Sequence, residues 1–319
     1  MRVVFQQFKK EVFIMITLLT LIAGAELVSS VVNAQTLDTL VNMDIHNFFY
    51  KAICLVIIFA FYLLFTYMLI RYQAYFNQKV ATWLRDRISH SIEATSYGRF
   101  YEKNSQTYIS WFTSDLEQIK GNAINPTFEV IGGIISAVIS AVALFMYHWS
   151  IVLLAAICIV IMAVLPALFS AELTEKTIKV SEANEKFAKS ISDLLSGYDT
   201  LFVFRKLAYL KDKKKKKSVE VGDTHRDFSK SMAKVAVSGG IGNVFSQISV
   251  FILTGYLAYI GEVSIGSILA AMALSSTIFN VLGNISQKIG SIKSADSLFN
   301  KYEQLEPAAL VEEAPEEEP

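Results

Sequence analysis

The sequence predicts an all-α membrane protein with six transmembrane helices and long cytoplasmic helical extensions. Hydrophobic residues make up 53% of its 319 residues, which is more than soluble domains usually carry. Six apolar stretches reach the length of about 20 residues that a bilayer-spanning helix needs. Lys and Arg residues collect on one side of these stretches, as they do in multi-pass membrane proteins.

The six predicted spans are separated by short polar segments on one side and by long ones on the other. The third and fourth spans are separated only by His148 and Trp149, so we expect the chain to turn at this pair. Trp is typical of the membrane interface, which agrees with a turn there. The spans are approximately 12–34, 49–70, 127–147, 149–170, 235–260 and 264–286.

The distribution of basic residues predicts the orientation. Of the 29 Lys and Arg residues, only Lys51 falls outside the segments assigned to one side. The positive-inside rule therefore places both termini in the cytoplasm. The plasma membrane is the expected location. The start of the chain also resembles a cleavable signal peptide, because "VNA" precedes Gln35. We favour a retained span, since the apolar run is too long for a signal peptide and Glu26 interrupts its far end.

The long segments between the spans show helical periodicity. Val80, Leu84 and Ile88 have helical spacing after span two, and Ile109, Phe112, Leu116 and Ile119 repeat the pattern before span three. We expect each long segment to form two helices joined by a turn, near 95–105 and 194–206. An arm of about 22 residues would extend about 33 Å from the membrane.

The lysine block 213–217 has two interpretations. It is a solvated surface of an arm, or it attracts anionic lipid or an acidic protein surface. The expected distance from the bilayer argues against lipid, so a solvated surface is favoured. Nucleic-acid binding has no other support in the sequence.

Two longer motifs resemble the inner hairpins of a known family. The segment "RFYEKNSQTYISWFTSDLEQI" (99–119) is similar to the first inner hairpin of ATP-binding-cassette (ABC) exporters, and "ANEKFAKSISDLLSGYDTLFVF" (183–204) is similar to the second. The short loop "GEVSIGSILAAM" (261–272) fits the turn between the last two spans. Residues of about 5–305 thus resemble the transmembrane domain of a half-transporter.

The resemblance implies coupling helices and partners. In this family the two inner turns insert into nucleotide-binding domains, and the second crosses to the partner subunit. We therefore expect a domain-swapped dimer, homomeric or heteromeric, with coupling helices at 96–102 and 196–204. The residues implied in coupling are Tyr97, Arg99, Phe100 and Tyr101 in the first turn, and Gly197, Tyr198, Asp199, Leu201 and Phe202 in the second.

The sequence contains no GxxxxGK[ST] motif, and thus no recognisable ATPase motif. The glycines of "GGIGNVF" (239–245) lack the lysine and lie in a span, where close helix packing explains them better. We expect this chain to bind no cofactor or metal, with ATP and Mg on a nucleotide-binding domain. The predicted transmembrane domain, 1–305, precedes an acidic linker or tail, 306–319. The ATPase domain is expected to be fused and truncated here, or else a separate chain; truncation is favoured.

Polar residues within spans are costly and therefore indicate function. Two amide pairs, each four residues apart, define polar faces on spans five and six, which suggests a water-accessible pathway. Interhelical hydrogen bonding is the alternative for the amides. The candidate pathway residues are Glu26, Glu129, Asn243, Gln247, Asn280 and Asn284.

The function expected from these features is ATP-driven export of an amphipathic substrate, a drug, lipid or peptide, by alternating access. An ion-coupled secondary transporter that uses Glu26 or Glu129 is the alternative. Such transporters usually show broken spans and internal repeats, and neither is visible in the sequence. A membrane-anchored receptor is a third possibility, but no signalling domain is visible.

Overall fold

The structure, a computed structural model, describes residues 2–205 and 207–303, and its regular elements over these ranges are helices. Six of the described helical segments are long and apolar enough to cross a membrane, which confirms the predicted fold class. The predicted acidic tail, 306–319, lies outside the described residues. The helices are α1 Arg2–Gln7, α2 Lys9–Val41, α3 Ile45–Glu93, α4 Tyr97–Tyr101, α5 Ser105–Phe112, α6 Ser114–Ile119, a π-helical turn Lys120–Ile124, α7 Asn125–Tyr147, α8 Trp149–Ser196, α9 Tyr198–Val203, α10 Leu207–Tyr259 and α11 Ser267–Glu303.

The chain divides into two compact units. The first unit comprises residues 1–152 and 251–319, and it contains α1 to α7 together with α11. The second unit comprises residues 153–250, which are most of α8, all of α9 and most of α10. The spans of the first unit are therefore the first three and the last, whereas most of the fourth and fifth spans belong to the second unit.

The core of the first unit lies beside the ends of the spans that were predicted to be cytoplasmic. Aliphatic and aromatic side chains share it, and Phe76 contacts Phe128 edge to face with ring centres 5.3 Å apart. The predicted face of α3 is confirmed, because Val80, Leu84 and Ile88 are all buried in this cluster. Further buried members are Val4, Phe8, Val12, Met15, Tyr108, Trp111, Leu116, Ile119 and Ile124.

The hairpin segment before span three is less regular than the sequence predicts. The helix breaks at Thr113, where φ is −121° and ψ is −88°, and again at the π-helical turn. Ile109, expected on the apolar face, is 52% exposed, whereas Trp111 is fully buried. Pro126 follows the π-helical turn, and proline has no N–H to donate and its ring clashes with the carbonyl four residues earlier in an α-helix. The π-helical turn before Pro126, which is wider than an α-helical turn, leaves room for the proline ring.

The chain turns between α7 and α8 at His148, as the polar pair predicts. His148 adopts an extended conformation, with φ −166° and ψ 133°. Its ring accepts a hydrogen bond from the backbone N–H of Ser150 at 3.3 Å, which supports the first turn of the next helix.

The second unit is a pair of long helices that approach closely at glycines. A Cβ added at Gly242 would lie 3.3 Å from the Cα of Met162, which is tighter than ordinary contact. A Cβ at Gly239 would lie 3.6 Å from Pro166, the proline inside α8. The prediction that the glycines of 239–245 serve helix packing is therefore supported at Gly239 and Gly242, whereas nothing lies within 4 Å of a Cβ added at Gly240.

Candidate functional site

A cleft with both polar and apolar side chains in its lining lies between α7 and α11 in the first unit. It has a volume of about 270 Å³ and brings together three of the candidate pathway residues, Glu129, Asn280 and Asn284. Lys288 contributes a charge that the sequence analysis did not select. The remaining lining residues are Val130, Gly133, Val281 and Ile285.

The two charges of the cleft form an ion pair. The ammonium group of Lys288 donates a hydrogen bond to the carboxylate of Glu129, which joins α11 to α7. Both side chains keep solvent access, with Lys288 37% and Glu129 49% exposed. Lys288 was missed because it lies beyond the predicted end of span six. Its spacing of four from Asn284 and eight from Asn280 places all three on one helix face, and this spacing could have identified it.

A glycine allows the helices to meet at the floor of the cleft. A Cβ added at Gly133 would lie 3.0 Å from Cγ1 of Val281, so a larger residue would push α7 and α11 apart. Gly133 is one turn along α7 from Glu129, since helix positions four apart lie on one face. The polar end of the cleft therefore lies between two contacts of α7 with α11, the close approach at Gly133 and the ion pair one turn away.

The other predicted pathway residues lie elsewhere. Glu26 is half-buried on α2. Asn243 and Gln247 belong to the second unit, and the side-chain N–H of Gln247 donates to Oδ1 of Asn243 at 2.7 Å. The amides of α10 are thus hydrogen bonded to each other. On α11, Asn284 donates to the carbonyl of Asn280 at 2.8 Å and Asn280 donates to the Ser276 hydroxyl at 3.3 Å, while both asparagines also line the cleft.

A second polar cluster was not found from the sequence. The amide groups of Gln73 and Asn77 on α3 both donate to Oδ1 of Asn125, at 3.0 and 2.9 Å. Gln73 and Asn77 are four residues apart just beyond span two, and this spacing could have identified them as one polar helix face. Their common acceptor could not be inferred, because it lies far along the chain on another helix.

The first predicted coupling turn contains the short helix α4. None of its residues is buried, and Tyr97 and Tyr101 are 79% and 65% exposed. Phe100 instead stacks on Tyr108 of α5 with ring centres 4.7 Å apart, and the Tyr108 hydroxyl donates to the Phe100 carbonyl at 3.1 Å. Arg99 is exposed. One aromatic residue therefore fixes α4 to the neighbouring helix, and two face outward.

The second predicted coupling turn contains the short helix α9, which begins after Gly197. It also buries no residue, and Phe202 is 61% exposed. Tyr198 stacks with Phe202 at 6.2 Å between ring centres, Asp199 is exposed and Leu201 is half-buried. Both turns therefore present aromatic rings that remain exposed among the described residues.

The arms of the second unit are joined by charged groups outside the apolar spans. Lys234 of α10 donates to both carboxylate oxygens of Glu172 on α8, at 2.8 and 3.0 Å, and Ser231 donates at 2.9 Å. These hydrogen bonds, that from Lys234 first, hold the pKa of the Glu172 carboxyl below its ordinary value. In the lysine block, Lys217 pairs with Glu220 at 2.8 Å.

Residues 12–282 match the family of ABC transporter transmembrane regions. This match covers most of the chain, so the protein belongs to that family and is the multi-pass membrane domain of an ABC transporter. No curated protein sequence matches the chain. Over residues 2–205 and 207–303, no group of three His, Cys, Asp or Glu side chains could hold a metal ion.

Proposed function

We propose that this chain is the membrane half of an ATP-driven exporter, which moves an amphipathic substrate out of the cytoplasm by alternating access. The observation that carries the proposal is that α4 and α9 bury none of their residues. Helices of five and six residues do not persist in water by propensity alone. Exposed aromatic groups on such short helices are typical of a surface that docks on another protein.

The partner proposed for these two helices is a pair of nucleotide-binding domains, fused to the chain or separate. α4 would contact one of them through Tyr97, Arg99 and Tyr101, and α9 would contact one through Tyr198 and Phe202. Each of these side chains is exposed. ATP and Mg would bind on those domains, and this chain would supply only the docking surface.

The long helices give the docking surface a mechanical role. α3 continues for 23 residues beyond span two, from 71 to 93, which is about 35 Å of helix. A helix that packs against a core transmits a displacement of its tip to the span above it. ATP-driven closure of the partner domains would therefore move the spans and change access to the cleft.

The second half of the transporter is proposed to be another chain of this type, so that twelve spans enclose one pathway. The division of the six spans into two units supports an exchange of the fourth and fifth spans between halves. Both termini and the long helical arms would then face the cytoplasm, as the distribution of basic residues favours. The plasma membrane is the proposed location.

The ion-coupled alternative has less support. Glu129, one of its two proposed proton carriers, is bound to Lys288 across the cleft. Membership of the ABC family favours ATP as the energy source.

The test uses the chain together with its nucleotide-binding domain in proteoliposomes, with ATP hydrolysis and transport of a fluorescent amphiphile measured in parallel. Tyr198→Ala and Leu201→Asp should leave hydrolysis measurable but reduce transport about tenfold or more. Tyr198→Ala removes an aromatic contact of the interface, which costs about 2 kcal/mol, and Leu201→Asp places a charge among apolar side chains at the same tip. Ile178→Ala is the matched control, since Ile178 is 55% exposed on α8 away from the tip. Unchanged coupling in both tip variants would refute the proposal.

A further inference from the structure

The ion pair of the cleft is partly exposed to solvent, which is not typical of a contact that stabilises the fold. Glu129 and Lys288 both remain partly exposed, and they border a cavity rather than packed side chains. Exposed ion pairs contribute only about 0–1 kcal/mol to stability. The pair is therefore available to exchange its internal contact for contacts to a bound molecule.

We propose that this cleft binds the head group of a zwitterionic amphiphile, which carries one positive and one negative charge. The inference rests on the proposed function and specifies the class of its substrate. The cationic group of the ligand would pair with Glu129, and its anionic group would pair with Lys288. Both protein charges then keep a partner when their own contact opens.

The charge arrangement selects against amphiphiles with a single charge. A cationic head group could bind Glu129 only by competing with Lys288, and it would leave that ammonium without its partner. An anionic head group that bound Lys288 would likewise leave the Glu129 carboxylate without its partner. A singly charged head group supplies a partner for only one of the two protein charges, whereas a zwitterion replaces both contacts at once.

The position of the pair along the helices fits an amphiphile at the membrane boundary. Glu129 is near the start of span three, at 127–147, and Lys288 lies just past the end of span six at 264–286. A head group held there would leave its tail to run along the apolar side chains of Val130 and Val281, which line the same cleft. Lys side chains near the ends of spans reach toward the polar zone in this way.

The size and the amides of the cleft limit what it can hold. Its volume of about 270 Å³ is below the range of about 300–1,000 Å³ that is usual for sites enclosing a whole drug-sized ligand. It therefore suits a head group whose tail extends into lipid. Asn280 and Asn284 lie two turns and one turn away from Lys288 along the same face, where they offer hydrogen bonds to a polar linker.

The experiment measures binding of four short amphiphiles that share a hexyl tail. Two are zwitterionic, hexylphosphocholine and N-hexyl-N,N-dimethylglycine; the others are hexyltrimethylammonium and hexyl sulfate. The full chain is placed in nanodiscs of anionic phosphatidylglycerol, so that the bilayer itself supplies no zwitterionic competitor. Binding is measured by titration calorimetry, and the heat measured with empty nanodiscs is subtracted to remove the contribution of partitioning into lipid.

We expect at least one zwitterion to bind about tenfold more tightly than either singly charged probe, since one charge-assisted hydrogen bond contributes about one power of ten. Preference for hexylphosphocholine indicates a phospholipid-like head, and preference for the dimethylglycine indicates an amino-acid-like head. Equal binding of all four probes, or tightest binding of a singly charged one, would overturn the proposal.

Variants separate charge recognition from loss of structure. Glu129→Gln and Lys288→Gln should each abolish the preference for the zwitterion, and the exchanged pair Glu129→Lys with Lys288→Glu should restore it. The matched control is Glu175→Gln with Lys179→Gln, an exposed pair on α8 with a separation of 2.5 Å, which should leave binding unchanged. A preference that survives both single variants also contradicts the proposal.

The assay contains no ATPase domain, so its outcome is independent of the export test. ATP-dependent transport without head-group preference would refute only the zwitterion site. Selective binding without ATP-dependent transport would refute the export proposal and leave the site in place.

Discussion

The carboxylate of Asp38 accepts a hydrogen bond from the backbone N–H of Gly266, with 2.6 Å between oxygen and nitrogen. Asp38 lies in the last turn of α2, and Gly266 directly precedes α11. The residue before a helix has an N–H that the helix itself does not pair, and negative charge is favourable at this end. Asp38 therefore caps a helix that is 228 residues away in sequence.

Asp38→Ala should destabilise the first unit, because it removes an acceptor at the start of α11. Loss of a helix cap costs about 1 kcal/mol, which corresponds to a decrease of about 2–4 °C in the melting temperature. Intrinsic tryptophan fluorescence during heating of the purified protein measures this change. Glu262→Ala, at an exposed position of the same loop, should melt like the wild type. Equal melting of both variants would show that the cap contributes nothing.

Gly266→Ala should be more damaging than loss of the cap. A Cβ at this position would overlap the backbone carbonyl of Ala34, and a backbone group cannot rotate away as a side chain can. We expect the loop to shift and the Asp38 hydrogen bond to break, so the melting temperature should fall further than in Asp38→Ala. The matched control is Gly255→Ala, where nothing lies within 4 Å of the new Cβ. Since Gly255 is helical, this control should be neutral or stabilising by up to about 1 kcal/mol. A Gly266→Ala protein as stable as this control would contradict the observed contact.

Gly242→Ala should loosen the contact between α8 and α10. The added methyl group would press on the Cα of Met162 at 3.3 Å, and overpacking of this kind costs about 1–3 kcal/mol. Disulfide formation between cysteines introduced on the two helices would report the change as slower crosslinking. Gly240→Ala controls for helix propensity, because no atom lies within 4 Å of its added Cβ. Identical crosslinking rates in the two variants would exclude helix packing as the role of Gly242.

The contact of Glu172 with Lys234 should weaken in acid. Because hydrogen bonds from Lys234 and Ser231 lower the pKa of Glu172 in the folded protein, the carboxylate contributes stability above its ordinary pKa. That contribution is lost as the pH falls through the lowered folded value. Spin labels on α8 and α10 should therefore show a broader distance distribution at acidic pH than at pH 7.

Glu172→Gln provides the comparison for this titration. The variant cannot ionise at this position, so its distance distribution should lose the part of the pH dependence that Glu172 causes. If the wild type and Glu172→Gln respond identically to pH, the change must come from other groups.

Several features that depend on one stretch of sequence were predicted correctly, although the broken helix before span three and the exposure of Ile109 were not. Apolar length located the six spans, and the His148–Trp149 pair located a turn, because each of these signals is local. The buried face of α3 followed from helical spacing alone. The roles of the coupling residues and the pathway stay predictions, although the structure brings three pathway residues to one cleft.

Features that depend on contacts between distant segments could not be predicted. A spacing of three or four residues defines a face of one helix, but it does not say which helix that face meets. Lys288 and Glu129 are each recognisable as charged residues near a span, yet their pairing requires knowledge of how α7 and α11 pack. The same limit applies to Asp38 and Gly266.

The π-helical turn Lys120–Ile124 acts as a spacer whose length sets the orientation of α7. Ile119 and Ile124 are both fully buried in one core, although five positions of an α-helix would separate them by about 140° around its axis. The π-helical turn thus contains one residue more than an α-helical turn would need to bring Ile119 and Ile124 to the same side. A second residue inserted there would rotate α7 by about 100° and carry Glu129 away from Lys288. The geometry of the cleft therefore depends on the number of residues in a segment that contributes no side chain to it.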